Sequence, residues 1–220
     1  RPPPRSQQCP SSAASDVYNR QDPEKVKIEI IKTSGDMFLN TSLSKIGGKG
    51  LFTKEIQQAL IDKRIDIAVH SMKDVETDLP EKLVISTILK REDVRDSFIS
   101  RRYSSIADLP LGSVVGTSSL RRKAQLLNKR KDLKVVEFRG NVQKRLEKLD
   151  NNVAVATFLA TAGLNRLGLV ELINPISTDE MLPAVAQGAV GIEHLRSEKM
   201  EEFLEPVSYT HLTLPTKVTV

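Results

Sequence analysis

From Val114 onward the chain alternates between short apolar runs and amphipathic stretches, and this alternation restricts the fold more than any other feature. Val114-Val115 reads as a strand, and the next stretch carries Leu120, Ala124 and Leu127 at helical spacing. Lys134–Phe138 reads as a strand and Val142–Leu149 as a helix with Val142, Leu146 and Leu149 on one face. Val153–Leu159 is a mostly apolar strand, and another helix begins near Ala162. Strands alternating with helices imply βαβ units around parallel sheets. The pattern also runs earlier: Val26–Ile30 alternates as a half-buried strand, and Phe52, Ile56, Ala59, Leu60 and Lys63 have helical spacing. Ile65–Val69 is a strand ending at His70-Ser71-Met72-Lys73-Asp74. Asp96–Ser100 is a further strand candidate, and a short helix is predicted near Ser197–Leu204.

The net charge of +5 is concentrated in one place. Between Ser119 and Lys148 there are eleven Lys/Arg and three Asp/Glu. Such a block suits nucleic acid, an anionic membrane surface or a polyanionic small molecule. Aromatic residues are only 4% and Trp is absent, so platforms for base stacking are poorly supplied. No apolar run approaches the roughly 20 residues of a membrane span. Arg1–Ser15 has no apolar segment of the secretory kind, and the chain to about Gln21 reads as disordered. Cys9 is the single cysteine, which excludes a disulfide within the chain and fits a reducing, cytoplasmic setting. Three scattered histidines argue against zinc.

In open α/β sheets ligands bind beyond the carboxyl ends of the strands. Lys73, Asp74, Ser118, Ser119, Arg121 and Arg139 all fall at or just past such ends. In Val114–Arg122 an apolar strand meets a Gly-hydroxyl turn that opens a helix with two arginines in its first turn. Helix N-termini attract anions, and arginine forks fit carboxylates; an ordinary Ser-capped helix reads the same way. Arg139, Arg145 and Arg166 join Arg121 and Arg122 at strand ends of this unit. So many guanidiniums repel one another unless anions come between them, which points to a ligand bearing several carboxylates. Asp74, beside Lys73, could stabilise a developing positive charge or move protons, or simply pair with its neighbour. Gly47-Gly48-Lys49-Gly50 forms a flexible loop without the G-x-x-x-x-G-K-[ST] spacing, and no G-x-G-x-x-G occurs.

Five stretches together resemble the hydroxymethylbilane synthase (porphobilinogen deaminase) family: Leu43–Glu55, Ala68–Asp74, Val115–Arg122, Arg139–Asn141 and Gln187–Glu193. The resemblance runs from about Lys27 to Glu193. It implies a cytoplasmic, monomeric transferase that joins four porphobilinogen units into hydroxymethylbilane, releasing ammonia, in tetrapyrrole and haem biosynthesis. It implies no membrane or nucleic-acid partner and no metal. Chain growth in the family starts from a dipyrromethane cofactor held by a cysteine. The implied fold is α/β: two periplasmic-binding-protein-like domains with mainly parallel central sheets, and a third, α+β domain that this chain is expected to lack. By the resemblance Asp74 is the catalytic carboxylate. Lys73, Thr117, Ser118, Ser119, Arg121, Arg122, Arg139, Arg145 and Arg166 bind acetate and propionate groups, Gln187 lies near the substrate, and Lys49 sits on a mobile loop over the cleft. Ala186 stands where the family usually has glycine.

The expected organisation is a disordered segment 1–23, a first domain from 24–92 plus 188–205, a second from 93–187, and an unrelated tail 206–220. The chain is expected to be an inactive fragment, without the family's N-terminal strand and without the cysteine that anchors the cofactor. Two other readings accompany this one. One is a non-catalytic polycarboxylate-binding module of the solute-binding class; the other is a nucleic-acid binder using the Ser119–Lys148 block.

Overall fold

The computed structural model describes residues 27–34 and 53–208. In chain order its elements are helix α1 (Lys54–Ile61) and strands β1 (Ile67–Ser71), β2 (Leu83–Ile88), β3 (Asp96–Ser100) and β4 (Val114–Gly116). Helix α2 (Leu120–Lys129), strand β5 (Lys134–Val136), helix α3 (Val142–Asp150), strand β6 (Ala156–Ala160) and helix α4 (Thr161–Leu167) follow. Strand β7 (Val190–Leu195) and helix α5 (Glu198–Leu204) close the series.

Among the described residues seven strands form two sheets. The first has the order β1-β7-β2, with β7 antiparallel to both neighbours. Strand alternation sorts its side chains onto two faces. On one, Leu60 of α1 packs with Ala68 and Leu83. On the other, Leu204 of α5 packs with Leu89, Val190 and Ile192. The second sheet has the order β3-β6-β4-β5, parallel at β6-β4 and β4-β5 and antiparallel at β3-β6. Leu126 of α2 covers one face with Phe98, Val115 and Phe158. Leu149 of α3 and Leu164 of α4 cover the other with Ile99, Phe138 and Leu159. The cross-strand pair Phe98 and Phe158 sits 6.1 Å between centroids at 60°, a favoured tilted geometry. Gly116 has no room for a side chain, because a Cβ there would lie 2.3 Å from the Phe138 ring.

The α/β class and the helix-covered sheets agree with the sequence reading, but the strand directions are more mixed. The first sheet is antiparallel among its described strands because of how the chain crosses. The segment leaving β2 and the segment entering β7 run side by side in opposite directions, joined by Leu89 N–H to Val190 O (2.9 Å) and Glu92 N–H to Gly188 O (3.1 Å). Strand β2, read as half-buried at most positions, was not anticipated. Lys27–Ile30 has no regular structure, since no ladder reaches it among the described residues. The buried face of α2 carries Arg122 and Leu126, while Leu120 is 69% exposed. A stripe counted from apolar residues alone misses the arginine that anchors this helix. Of the expected tail, Pro206–Ser208 are described, and Glu205–Val207 make a 3-10 turn continuing α5. Segment 1–23 lies outside the described residues.

Ala186 has φ +56, and two positions on Gly188 has φ +88. The left-handed region costs an L-residue about 1–2 kcal/mol. Glycine returns about 0.4–1 kcal/mol of that through unfolded-state entropy. Ala186→Gly is therefore expected to stabilise by up to about 1 kcal/mol, raising Tm by about 2–4 °C. A melt at or below the parent's would show that Ala186 is unstrained.

Candidate functional site

Strand β1 runs directly into a 3-10 turn, Met72–Asp74. Met72 N–H donates to Ala189 O at 3.0 Å, tying the turn to the entry of β7. The fit is close: a Cβ on Gly191 would lie 2.3 Å from the Met72 sulfur. Lys73 and Asp74 stand beyond the strand end and are exposed to solvent. Burial raises the Asp74 pKa above the usual carboxylate value, opposed by Lys73, Arg122, Arg145 and His70. Burial also lowers the Lys73 pKa, opposed by Asp74.

The Gly-hydroxyl turn at the start of α2 uses its own side chains locally. Thr117 Oγ1 accepts from Ser119 N–H (3.2 Å), and Ser119 Oγ caps the helix by accepting from Arg122 N–H (3.4 Å). Ser118 Oγ accepts from Phe138 N–H (2.9 Å). Both helix arginines meet a residue that sequence reasoning missed, Asp96, which is fully buried at the start of β3. Arg122 Nη2 donates to Asp96 Oδ1 at 2.6 Å, and Nη1 donates to Phe158 O at 2.9 Å. Arg121 Nη2 is ion-paired to Asp96 Oδ2 at 2.7 Å without hydrogen-bond alignment, and Arg121 Nη1 donates to Leu182 O. Burial alone would raise the Asp96 pKa; the Arg122 and Arg121 guanidiniums overcome that and hold it below the ordinary value.

Past β5, Arg139 is 8% exposed. Lys148 Nζ donates to the Arg139 carbonyl at 2.9 Å and lies 5.5 Å over the Phe138 ring. Arg145 Nε donates to Gly140 O at 2.8 Å. Burial, with Arg122 and Arg139 nearby, lowers the Arg145 pKa to about 10. The guanidinium stays charged at neutral pH; burial is the main cause of the shift, the nearby Arg122 and Arg139 add to it, and Asp74 opposes it. Arg166 Nη2 donates to Gly188 O (2.9 Å). Gln187, 1% exposed, donates to Val94 O (2.7 Å) and Asp96 Oδ1 (3.0 Å).

Lys73, Asp74, Arg122, Arg139 and Arg145 thus share one electrostatic cluster. Arg166 and Gln187 sit where the chain crosses between sheets, and Lys49 lies outside the described residues. A second unforeseen feature is buried in the first sheet. His70 Nε2 contacts Glu193 Oε2 at 2.8 Å, and Gln57 Nε2 donates to Glu193 Oε1 at 3.0 Å. A carboxylate inside an apolar strand was the available signal in both cases: Glu193 within Val190–Leu195, and Asp96 opening Asp96–Ser100. Among the described residues, no cluster of His, Cys, Asp or Glu could hold a metal ion, and no helix is long and apolar enough to cross a membrane.

A family model described as porphobilinogen deaminase, dipyromethane cofactor binding domain, matches residues 11–202. The porphobilinogen deaminase of Paracoccus denitrificans is 61% identical over 168 residues, covering 76% of this chain and 54% of that protein. The chloroplastic porphobilinogen deaminase of Pisum sativum is 55% identical over 192 residues, covering 86% of this chain and 52% of that protein. The Campylobacter hominis protein of the same name is 48% identical over 197 residues, covering 88% and 64%. The chain therefore spans between half and two thirds of these relatives' length. Lipoprotein Tp32 from Treponema pallidum is a loose structural likeness, with TM-score 0.46 and 13% identity over 69% of this chain and 72% of that one. It adds nothing to the α/β class seen directly.

Proposed function

The chain belongs to the porphobilinogen deaminase family, and from that premise we propose that its cleft serves the head-to-tail joining of four porphobilinogen units into hydroxymethylbilane with release of ammonia. The proposal takes the two sheets as two domains, 24–92 with 188–205 and 93–187, facing the cleft with their strand ends. The observation that carries it is Asp74: a solvent-reached carboxylate at the end of β1, set in the field of Lys73, Arg122 and Arg145. A carboxylate there accepts pyrrole N–H groups and stabilises the positive charge left on a substrate carbon as ammonia departs. The surrounding cations take acetate and propionate groups, which guanidiniums hold two-pronged.

The donor set fits a dipyrromethane: Arg145 stands in the field of Arg122 and Arg139, and Asp74 offers an acceptor for ring N–H groups. Lys73, Arg139 and Arg145 would hold its carboxylates. When bound, this group supplies the pyrrole carbon to which the first substrate unit is joined. We assign Thr117, Ser118, Ser119 and Arg121 to shaping the turn that presents Arg122. Arg166 and Gln187 brace the crossing segments. The cytoplasm as location and a monomeric state are part of the same proposal.

Calorimetric titration of the chain with porphobilinogen tests this reading, with duplex DNA as comparison at about 50 and 200 mM salt. Porphobilinogen is expected to bind, and Arg145→Gln to weaken binding roughly tenfold, as for one charge-assisted hydrogen bond. DNA binding that falls steeply with salt, without porphobilinogen binding, would overturn it.

A further inference from the structure

Helix α3 holds the loop before it with two cations. Arg145 Nε donates to Gly140 O at 2.8 Å, and Lys148 Nζ donates to Arg139 O at 2.9 Å. The two side chains are one turn apart and share a face of the helix. They take consecutive carbonyls at the point where the chain leaves β5. Gly140 permits this close approach: its φ is +116, and a Cβ there would lie 2.9 Å from Lys144 Cβ. On the other side of Arg139, Phe138 is fully buried and its N–H donates to Ser118 Oγ at 2.9 Å.

Lys148 lies in the last turn of α3, where a lysine ordinarily meets the helix's own terminal carbonyls. Here the side chain leans toward the helix N-terminus, as helical side chains do. Its ammonium stands 5.5 Å over the Phe138 ring and reaches a carbonyl nine residues earlier. Ring, carbonyl and ammonium together fix the peptide from which the Arg139 side chain departs. A guanidinium on a long, rotamer-rich stem receives a carboxylate best when the base of that stem is held, because ordering it during binding weakens affinity.

We propose that Lys148 is a positioning residue: through the Arg139 carbonyl it fixes the base of the Arg139 side chain, and so sets how well Arg139 receives a ligand carboxylate. It acts from behind the arginine, with no ligand contact of its own. The hold on Arg139 stands on the geometry alone; its consequence for binding rests on the function proposed above.

Two measurements decide it. The first needs no ligand. It follows the NMR signal of the Arg139 Nε–H, identified by its loss in Arg139→Gln; Arg139 is buried, so this signal stands apart from those of exposed arginines. Lys148→Met keeps a stem over Phe138 and removes the ammonium. In that variant the signal is expected to move toward the exposed-arginine position and to report faster motion. An unchanged signal overturns the positioning role. The second is a double-mutant cycle read by calorimetric titration with porphobilinogen. Lys148→Met is expected to weaken binding about tenfold, as for one charge-assisted hydrogen bond lost by Arg139. It is expected to weaken binding no further when Arg139→Gln is already present. Unchanged affinity, or a loss of the same size in both backgrounds, overturns the consequence for binding. Lys148→Gln supplies the same two readouts if the methionine variant does not fold. If wild type binds no porphobilinogen, the proposed function falls, and the Arg139 signal still decides the positioning role.

Discussion

Under the function proposed above, Asp74→Asn in the cofactor-loaded enzyme is expected to cut turnover on the order of 100- to 1000-fold while leaving the fold intact. An amide still accepts a pyrrole N–H, but it carries no net charge to set against the cation formed as ammonia leaves. Stability should move the other way. The folded Asp74 pKa lies above its reference value of 3.8, so the folded state holds this proton more tightly than the unfolded chain does. Its contribution is fully present below 3.8 and is lost as pH rises through the folded pKa. At neutral pH the ionised group opposes folding, and the Asn variant should melt no lower than wild type. Turnover of the wild type should fall as pH drops through that raised pKa. Steady-state turnover and thermal melts across pH check both halves. Retention of more than about a tenth of the activity, well short of the expected loss, would show that Asp74 is structural.

Glu193→Ala is expected to cost about 2–5 kcal/mol, because two buried hydrogen-bond partners are each left unsatisfied at roughly 1–3 kcal/mol. Glu193 is fully buried and His70 is 6% exposed. Without the carboxylate, His70 Nε2 and Gln57 Nε2 both lose their partner in an apolar setting, and a cavity remains. Glu193→Gln keeps an acceptor for Gln57 and should cost less. Urea unfolding of the two variants separates these effects. A loss below about 1 kcal/mol for the alanine variant, no more than an ordinary hydrogen bond, would show that water replaces the carboxylate.

Periodicity made the second sheet legible. Val142, Leu146 and Leu149 mark the inward face of α3, and Val114-Val115 and the strand before α4 emerge from their apolar runs. Strand direction in the first sheet was hidden, because it depends on where β7 returns and not on the residues of β7. The cation cluster around Asp74 could be read from residue types placed at strand ends. The pairing of Arg121 and Arg122 with Asp96 could not, because Asp96 lies 25 residues before the first of them in a stretch that reads only as a strand start. Which carboxylate an arginine meets is decided by the packing of β3 against α2.

The middle strand of the first sheet is also the last to be made. Strands β1 and β2 share no ladder with each other; each bonds only to β7 among the described strands, and β7 begins about a hundred residues after β2 ends. The second sheet, by contrast, completes its ladder at β6 and takes Ile176 and Met181, still before β7, into its core. During synthesis the later-coded sheet can therefore close first, while β1 and β2 wait with unpaired edges of the kind that invites misassociation. The usual N-terminal-first order of folding is reversed here, and the turn bearing Asp74, tied by Met72 to Ala189, takes its final shape only when the return strand arrives.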